Sequence, residues 1–275
     1  MTIASGCALC GRPWGEVSKS FEHVLGHLRR RPGDLPNERT SISMAMLFDP
    51  EAQEFSEHPA SAESRKSSLL NLRTRAVCKS CNEGWMSTLE NQAKPVLRGL
   101  EDSAAARSHL EIPRADALTV ARWAQKTALT HELTTRSPSV GDLWMGDLLR
   151  QGAAIRGSAV RAARNDADFG VQVREAHIEI SDTFVVRPGD PYRLALITAI
   201  TWHYLTLLVY ISDTPGRIGP HLPLDRWSVV WPCAASGLDY PPMSTVTQEE
   251  LNAVLSDHHS WLPVVRHSGV RRLIA

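Results

Sequence analysis

The chain has 275 residues, 43% apolar and 22% charged, enough to build a sizeable core in one or two domains. Its 30 basic and 30 acidic side chains cancel, which excludes a uniformly basic nucleic-acid coat but leaves room for a local basic groove. Met1–Gly6 lacks a charged segment followed by an apolar run, so no signal peptide is expected and the protein reads as cytoplasmic.

Four of the five cysteines fall in two pairs, Cys7-Ala-Leu-Cys10 and Cys78-Lys-Ser-Cys81. Disulfides are disfavoured in a reducing compartment. A single C-x2-C pair also occurs in redox motifs, whereas two such pairs supply what a closed tetrahedral zinc site requires. Each pair offers two thiolates from one tight turn, so structural zinc at Cys7, Cys10, Cys78 and Cys81 is the favoured reading. The competing reading is coincidence, four small buried core residues. Cys233, in Trp231-Pro232-Cys233, reads as an ordinary core thiol.

Along the chain, residues 1–100 hold both cysteine pairs. The Pro-, Ser- and Glu-rich stretch Arg31–Ser68 reads there as a long loop. Residues 101–112 look like a connector leading to Pro113. A helix is predicted from Asp116, a plausible N-cap, to about Thr134, with Val120, Ala121, Ala124 and Ala128 on one stripe and Trp123 beside it. Leu143–Leu149 is a second, short helix. Val171–Val173 and Ala176–Ile180 alternate in opposite phase, which predicts a bulge near Arg174–Glu175. Phe184–Val186 and Trp227–Trp231 are further strands. Leu194–Ile211 approaches the length of a membrane span, but its Thr, His and Tyr residues favour one or two buried strands. Thr247-Gln-Glu-Glu250 fits a capping box opening a last helix. The C-terminal part, 113–275, thus reads as an α+β domain with its own core.

Glu22-His23-Val24 lies between the cysteine pairs, and Cys78-Lys-Ser-Cys81-Asn82-Glu-Gly84-Trp85-Met86-Ser-Thr-Leu89-Glu90-Asn91 begins at the second pair. This order resembles the zinc-stabilised HNH endonucleases, the ββα-metal or His-Me finger group. More narrowly, it is similar to bacterial and phage HNH-like proteins of unassigned role. Ala121-Arg-Trp123-Ala-Gln-Lys126-Thr-Ala128 and the Trp231-Pro232 and Pro241-Pro242 stretches are also similar to that group. The resemblance covers residues 5–100 best.

The resemblance implies a zinc-bound ββα-metal module over residues 1–100, with residues 113–275 setting specificity or partner choice. It implies that Glu22 and Asn82 hold a divalent ion, Mg2+ or Mn2+, and that His23 is the general base that takes a proton from water. A four-thiolate zinc leaves no position for water and would be structural. Asn71 is the candidate for the family's middle Asn, and Gly26 stands where most relatives have Pro.

His27 is either a second active-site histidine or a surface residue. Arg29, Arg30 and Arg31, with Arg73, Arg75 and Lys79, are either phosphate contacts or a solvated charge run. His58, His203 and the His258-His259 pair show no ligand spacing. The tryptophans at 123, 144, 202, 227, 231 and 261 read as core rather than base-stacking groups. The sequence therefore predicts a metal-dependent endonuclease acting on nucleic acid, DNA rather than RNA by family analogy, with no membrane association. The alternatives are a non-catalytic zinc module that binds nucleic acid or a protein partner, and an enzyme using the metal site for other hydrolytic chemistry.

Overall fold

A computed structural model describes residues 6–25, 41–49, 54–57, 73–134, 143–155, 158–180, 193–212, 222, 225–232, 237–242 and 244–256. Phe184–Val186, Cys233, Gly26, His27, Arg29–Arg31, His58, Asn71, His258, His259 and Trp261 lie outside the described residues.

The most apolar stretch of the sequence becomes the centre of the main sheet. Strands β8 (Arg193–Trp202) and β9 (Leu205–Ser212) pair antiparallel across a turn at His203-Tyr204, with partners running from Ala195↔Ser212 to Trp202↔Leu205. Leu196, Ile200, Leu207, Val209 and Ile211 enter one core, while Ile197, Ala199, Leu208 and Tyr210 enter a second. Successive side chains on a strand face opposite ways, so a run apolar at nearly every position needs cover on both faces. It has that cover, and no helix among the described residues is long and apolar enough to cross a membrane.

Around this pair the sheet grows to seven strands. β7 (Val171–Ile180) flanks β8, β6 (Ala159–Arg164) flanks β9, and β10 (Ser228–Trp231) flanks β6, all antiparallel. Beyond β7 lie β2 (Ser41–Asp49), paired parallel to β7, and β3 (Glu54–Glu57), antiparallel to β2. The stretch expected to be a loop thus contributes two strands to the sheet. Its Ser41-Ile-Ser-Met-Ala-Met46 segment carries the period-two alternation of a strand, which the surrounding Pro, Ser and Glu residues mask.

The bulge expected near Arg174–Glu175 is absent, since β7 pairs with β8 in unbroken register from Val171↔Trp202 to Ile180↔Arg193. β7 is held on both edges, and an inserted residue there would leave ladder groups unpaired inside the sheet.

Helices α2 (Ser87–Ala106) and α3 (Arg114–Glu132) pack together against one side of the sheet. Leu89, Ala93, Leu97, Leu100 and Ala104 form the buried stripe of α2, and Ala117, Val120, Ala121, Ala124 and Ala128 that of α3. α3 starts earlier than expected. The Pro113 carbonyl accepts the Asp116 and Ala117 N–H groups, so Asp116 sits in the first turn, where its charge suits the helix dipole. From Trp123 to Glu132 every residue of α3 is buried. Trp123, Trp202 and Trp227 are buried in the two cores, and Trp231 packs against the first.

The segment read as a connector holds the end of α2 and then β5 (Leu110–Ile112), which pairs with β11 (Leu238–Tyr240). The short helix α4 (Leu143–Arg150) follows α3 at the expected place. The second core is closed by α5 (Gln248–Ser256) through Leu251 and Leu255. Thr247 Oγ1 accepts the Glu250 N–H at 3.1 Å and Glu250 Oε2 accepts the Thr247 N–H at 2.9 Å, the reciprocal capping box read from the sequence.

Mixed helices and sheets give the chain its α+β character. A single core runs from Val24 and Leu25 through α2 and α3 to Leu207 and Tyr240. Removing the cap with Thr247→Ala should cost about 0.5–2 kcal/mol, read as a lowered midpoint in denaturant unfolding with an unchanged slope.

Candidate metal centre and the strand pair beside it

The first cysteine pair sits in a tight turn closed by its own backbone. The Cys7 N–H donates to the Arg12 carbonyl at 2.9 Å and the Gly11 N–H to the Cys7 carbonyl at 2.9 Å. Gly11 has φ +70°, which glycine adopts without a Cβ penalty. The second pair straddles the end of β4 (Arg73–Cys78) and the helical turn α1 (Lys79–Cys81). The Ala8 N–H donates to the Ala76 carbonyl at 2.8 Å and the Cys78 N–H to the Cys7 sulfur at 3.3 Å, which brings the two pairs face to face. α4 rests on the first turn, where Gly146 lies so close to Leu9 that a Cβ would fall 2.3 Å from its carbonyl oxygen.

All four Sγ atoms lie within 4.8 Å of one another, with Cys7–Cys81 at 4.0 Å and Cys10–Cys78 at 3.8 Å. Four sulfurs about 2.3 Å from a tetrahedral zinc stand about 3.8 Å apart, so the set fits such an ion. No disulfide joins them. The contact with the Cys81 thiol pushes Cys7 down to about 4, and the same contact with burial pushes Cys81 up. A cation would allow both to ionise. The four cysteines can therefore hold a metal ion. His109, Glu111 and Asp239 form a second, fully exposed group, on β5, β11 and the residue before β5.

Strand β1 (Lys19–His23) pairs antiparallel with β4, with Glu22 opposite Thr74 and His23 opposite Arg73. The Lys79 N–H donates to the Ser18 carbonyl at 2.8 Å, tying α1 to the start of β1. After α1 the chain makes a π-helical turn over Asn82–Met86, with Gly84 out of helical geometry, and continues into α2. Asn82 Nδ2 donates to Ser20 Oγ at 2.7 Å and to the Phe21 carbonyl at 3.1 Å. Asn82 is thereby fastened to the strand that carries Glu22 and His23, and its carbonyl oxygen takes no part in these bonds.

Glu22 is placed differently from the expectation. It is 4% exposed and turned inward, where Lys126 Nζ of α3 donates to its Oε1 at 2.7 Å. The same ammonium donates to Glu90 Oε1 of α2 at 2.5 Å. Lys126 is 1% exposed. Burial alone would push its ammonium down, but the charges of Glu90 and Glu22 outweigh that and hold it above the ordinary lysine value. A small recess lined by Leu25, Ser87, Glu90, Asn91, Lys94, Leu97 and Trp123 lies beside this ion pair.

His23, the next residue, is half-buried, opposite the exposed Arg73. Successive strand residues face opposite sides, so the carboxylate of Glu22 and the imidazole of His23 diverge. The structure thus brings Asn82 to β1 and draws Glu22 to Lys126.

Lys126 and Glu90 stand inside the family-like runs of the sequence, in which the resemblance assigns them no role. The available signal was a lysine standing as the one formal charge between Trp123 and Thr130, in a stretch where every residue is buried and a charge must find a partner. The chain matches no family model, no curated protein and no solved structure.

Lys126→Met leaves two carboxylates without their cation and should destabilise the protein by about 3–5 kcal/mol in denaturant unfolding. A lysine whose pKa is raised by folding stabilises at pH values below its unfolded pKa and loses that contribution as pH rises past the folded one. The gap between wild type and Lys126→Met should therefore stay level from neutral pH to about 10.4 and narrow above it.

Proposed function

We propose that the chain is a metal-dependent endonuclease of the HNH kind, hydrolysing phosphodiester bonds of nucleic acid, with DNA favoured over RNA by that analogy. One observation carries the reading. Asn82 joins the helix that follows β4 to the strand bearing Glu22-His23, and the four-cysteine cluster lies at the end of the strand pair where β1 begins and β4 stops. In this reading the cysteines hold zinc, which fixes the strand pair against the helix and takes no part in turnover.

His23 is the base. It accepts a proton as the water oxygen bonds to phosphorus, and the bond from phosphorus to the leaving sugar oxygen breaks, that oxygen taking its proton from solvent. Arg73, exposed and opposite His23, would hold a phosphate in this reading. Mg2+ or Mn2+ is required by the analogy and would stabilise charge on the leaving oxygen, with Glu22 and Asn82 as its protein ligands. With Lys126 Nζ 2.7 Å away, Glu22 does not fit such an ion.

That ion pair favours a second reading, a zinc module that grips nucleic acid or a protein partner without cleaving it. A carboxylate neutralised inside the protein has a structural task and need not serve a metal.

Two outcomes are expected. Elemental analysis of purified protein should find one zinc per chain, and Cys7→Ser, Cys10→Ser, Cys78→Ser or Cys81→Ser should lose it together with the fold around the cluster. His23→Ala should lower cleavage of plasmid, duplex or single-stranded substrates by about 10²–10⁴-fold, with zinc content unchanged. Cleavage undiminished in His23→Ala removes the proposed base, and no cleavage by wild type with Mg2+, Mn2+ or Ni2+ leaves the binding reading.

A further inference from the structure

The outer face of the β1–β4 pair presents an aromatic ring to solvent. Phe21 is 53% exposed, the one exposed large apolar side chain among the described residues. The guanidinium of Arg75 lies over its ring, 4.7 Å from the centroid. Arg73 and Arg75 are both exposed, and neither forms an ion pair with a carboxylate among the described residues. Lys19, two residues before Phe21 on the same strand, lies over the Trp14 ring at 4.8 Å. Lys79 is balanced by Glu83 at 3.7 Å, and the charge that Arg73 and Arg75 leave unpaired among the described residues is positive.

Duplex nucleic acid turns its phosphates outward and keeps its base faces stacked on one another. An exposed ring paired with a guanidinium plane offers it little beyond charge. An unpaired base can stack on such a platform, and each stacked base contributes substantially to single-strand affinity. Phe21 and His23 are two residues apart on one strand, about 6.6 Å, roughly the span of one nucleotide. A base on the Phe21–Arg75 platform therefore sits one nucleotide from a phosphate held between Arg73 and His23.

We propose that the Phe21–Arg75 pair is a base-stacking platform and that the partner of this face is single-stranded nucleic acid. The proposal rests on the reading that nucleic acid lies along β1. It specifies that the strand reaching His23 is unpaired.

The test is a fluorescence-anisotropy titration of His23→Ala protein, which keeps substrates intact, with labelled oligo-dT, oligo-rU and a DNA duplex of equal length. Tighter binding of one or both single strands than of the duplex is expected, and which of the two binds more tightly identifies the sugar. Adding Phe21→Ala should weaken single-strand binding about 10-fold while leaving the salt dependence unchanged. Adding Arg75→Ala should also weaken it, by removing the guanidinium half of the platform, whereas adding Arg73→Ala should reduce the log–log salt slope by about 0.7, the loss of one phosphate contact. Phe21→Trp should keep the affinity. Melting temperature and zinc content of each variant report that the fold is intact. Equal or tighter binding of the duplex, or no effect of Phe21→Ala, overturns the platform even if wild-type protein proves to be a nuclease. Phe21-dependent single-strand binding by a protein that cleaves nothing supports the platform and removes only the catalytic reading.

Discussion

The structure turns on an ammonium group that has no business in a core unless it is neutralised. Lys126 projects from the middle of α3 into the protein interior, and the two carboxylates that hold it come from β1 and α2. A charge removed from water is tolerated only with close, well-aligned partners. The positions of three elements are therefore set together. If β1 slid by one residue along β4, Glu22 would face solvent and Lys126 would lose one of its partners. This demand for register fixes which face of β1 carries Phe21 and His23, so the outer surface is specified by a contact on the inner one.

The cysteine cluster acts on the same elements from the other end. Its two pairs hold the turn before β1 and the junction of β4 with the helix that follows, and the backbone bonds between Ala8 and Ala76 and between Lys79 and Ser18 repeat the connection. Asn82 adds a side-chain bond to the edge of β1. The strand pair is short, and two strands alone are marginal in water. It is stable here because it is clamped at one end by the cluster and at the other by Lys126, with Val24 and Leu25 running on into the main core.

Much of this was legible in the sequence. The spacing of Cys7, Cys10, Cys78 and Cys81 pointed to one cluster because metal geometry constrains spacing tightly. The Thr247–Glu250 box was legible because a cap is a local event, and the apolar Leu194–Ile211 run because two-sided burial leaves a continuous signature. What escaped depends on partners far away in the chain. Ser41–Asp49 becomes a strand through pairing with β7, and its short alternation is outweighed locally by so many loop-forming neighbours. Glu22 could be named as an important acid from its place before His23. Its capture by Lys126 is a tertiary contact across 104 positions, invisible to motif and periodicity alike.

The route of the chain between β1 and β4 matters for how the protein is made. Leaving β1, the polypeptide lays down β2 and β3, which belong to the far edge of the large sheet, and only then returns as β4. Ser41 finds its partner Val173 about 130 positions later, so at ribosomal speeds of 5–20 residues per second β2 waits roughly 7–26 s for β7. Throughout that interval it is a strand without its neighbour, the kind of segment that other nascent chains and chaperones engage. Cys78 and Cys81 are made much sooner than β7, so a metal ion can close the cluster first. The excursion from β1 to β4 then becomes a tethered loop, and nascent β2 waits for its sheet on a leash anchored at both ends.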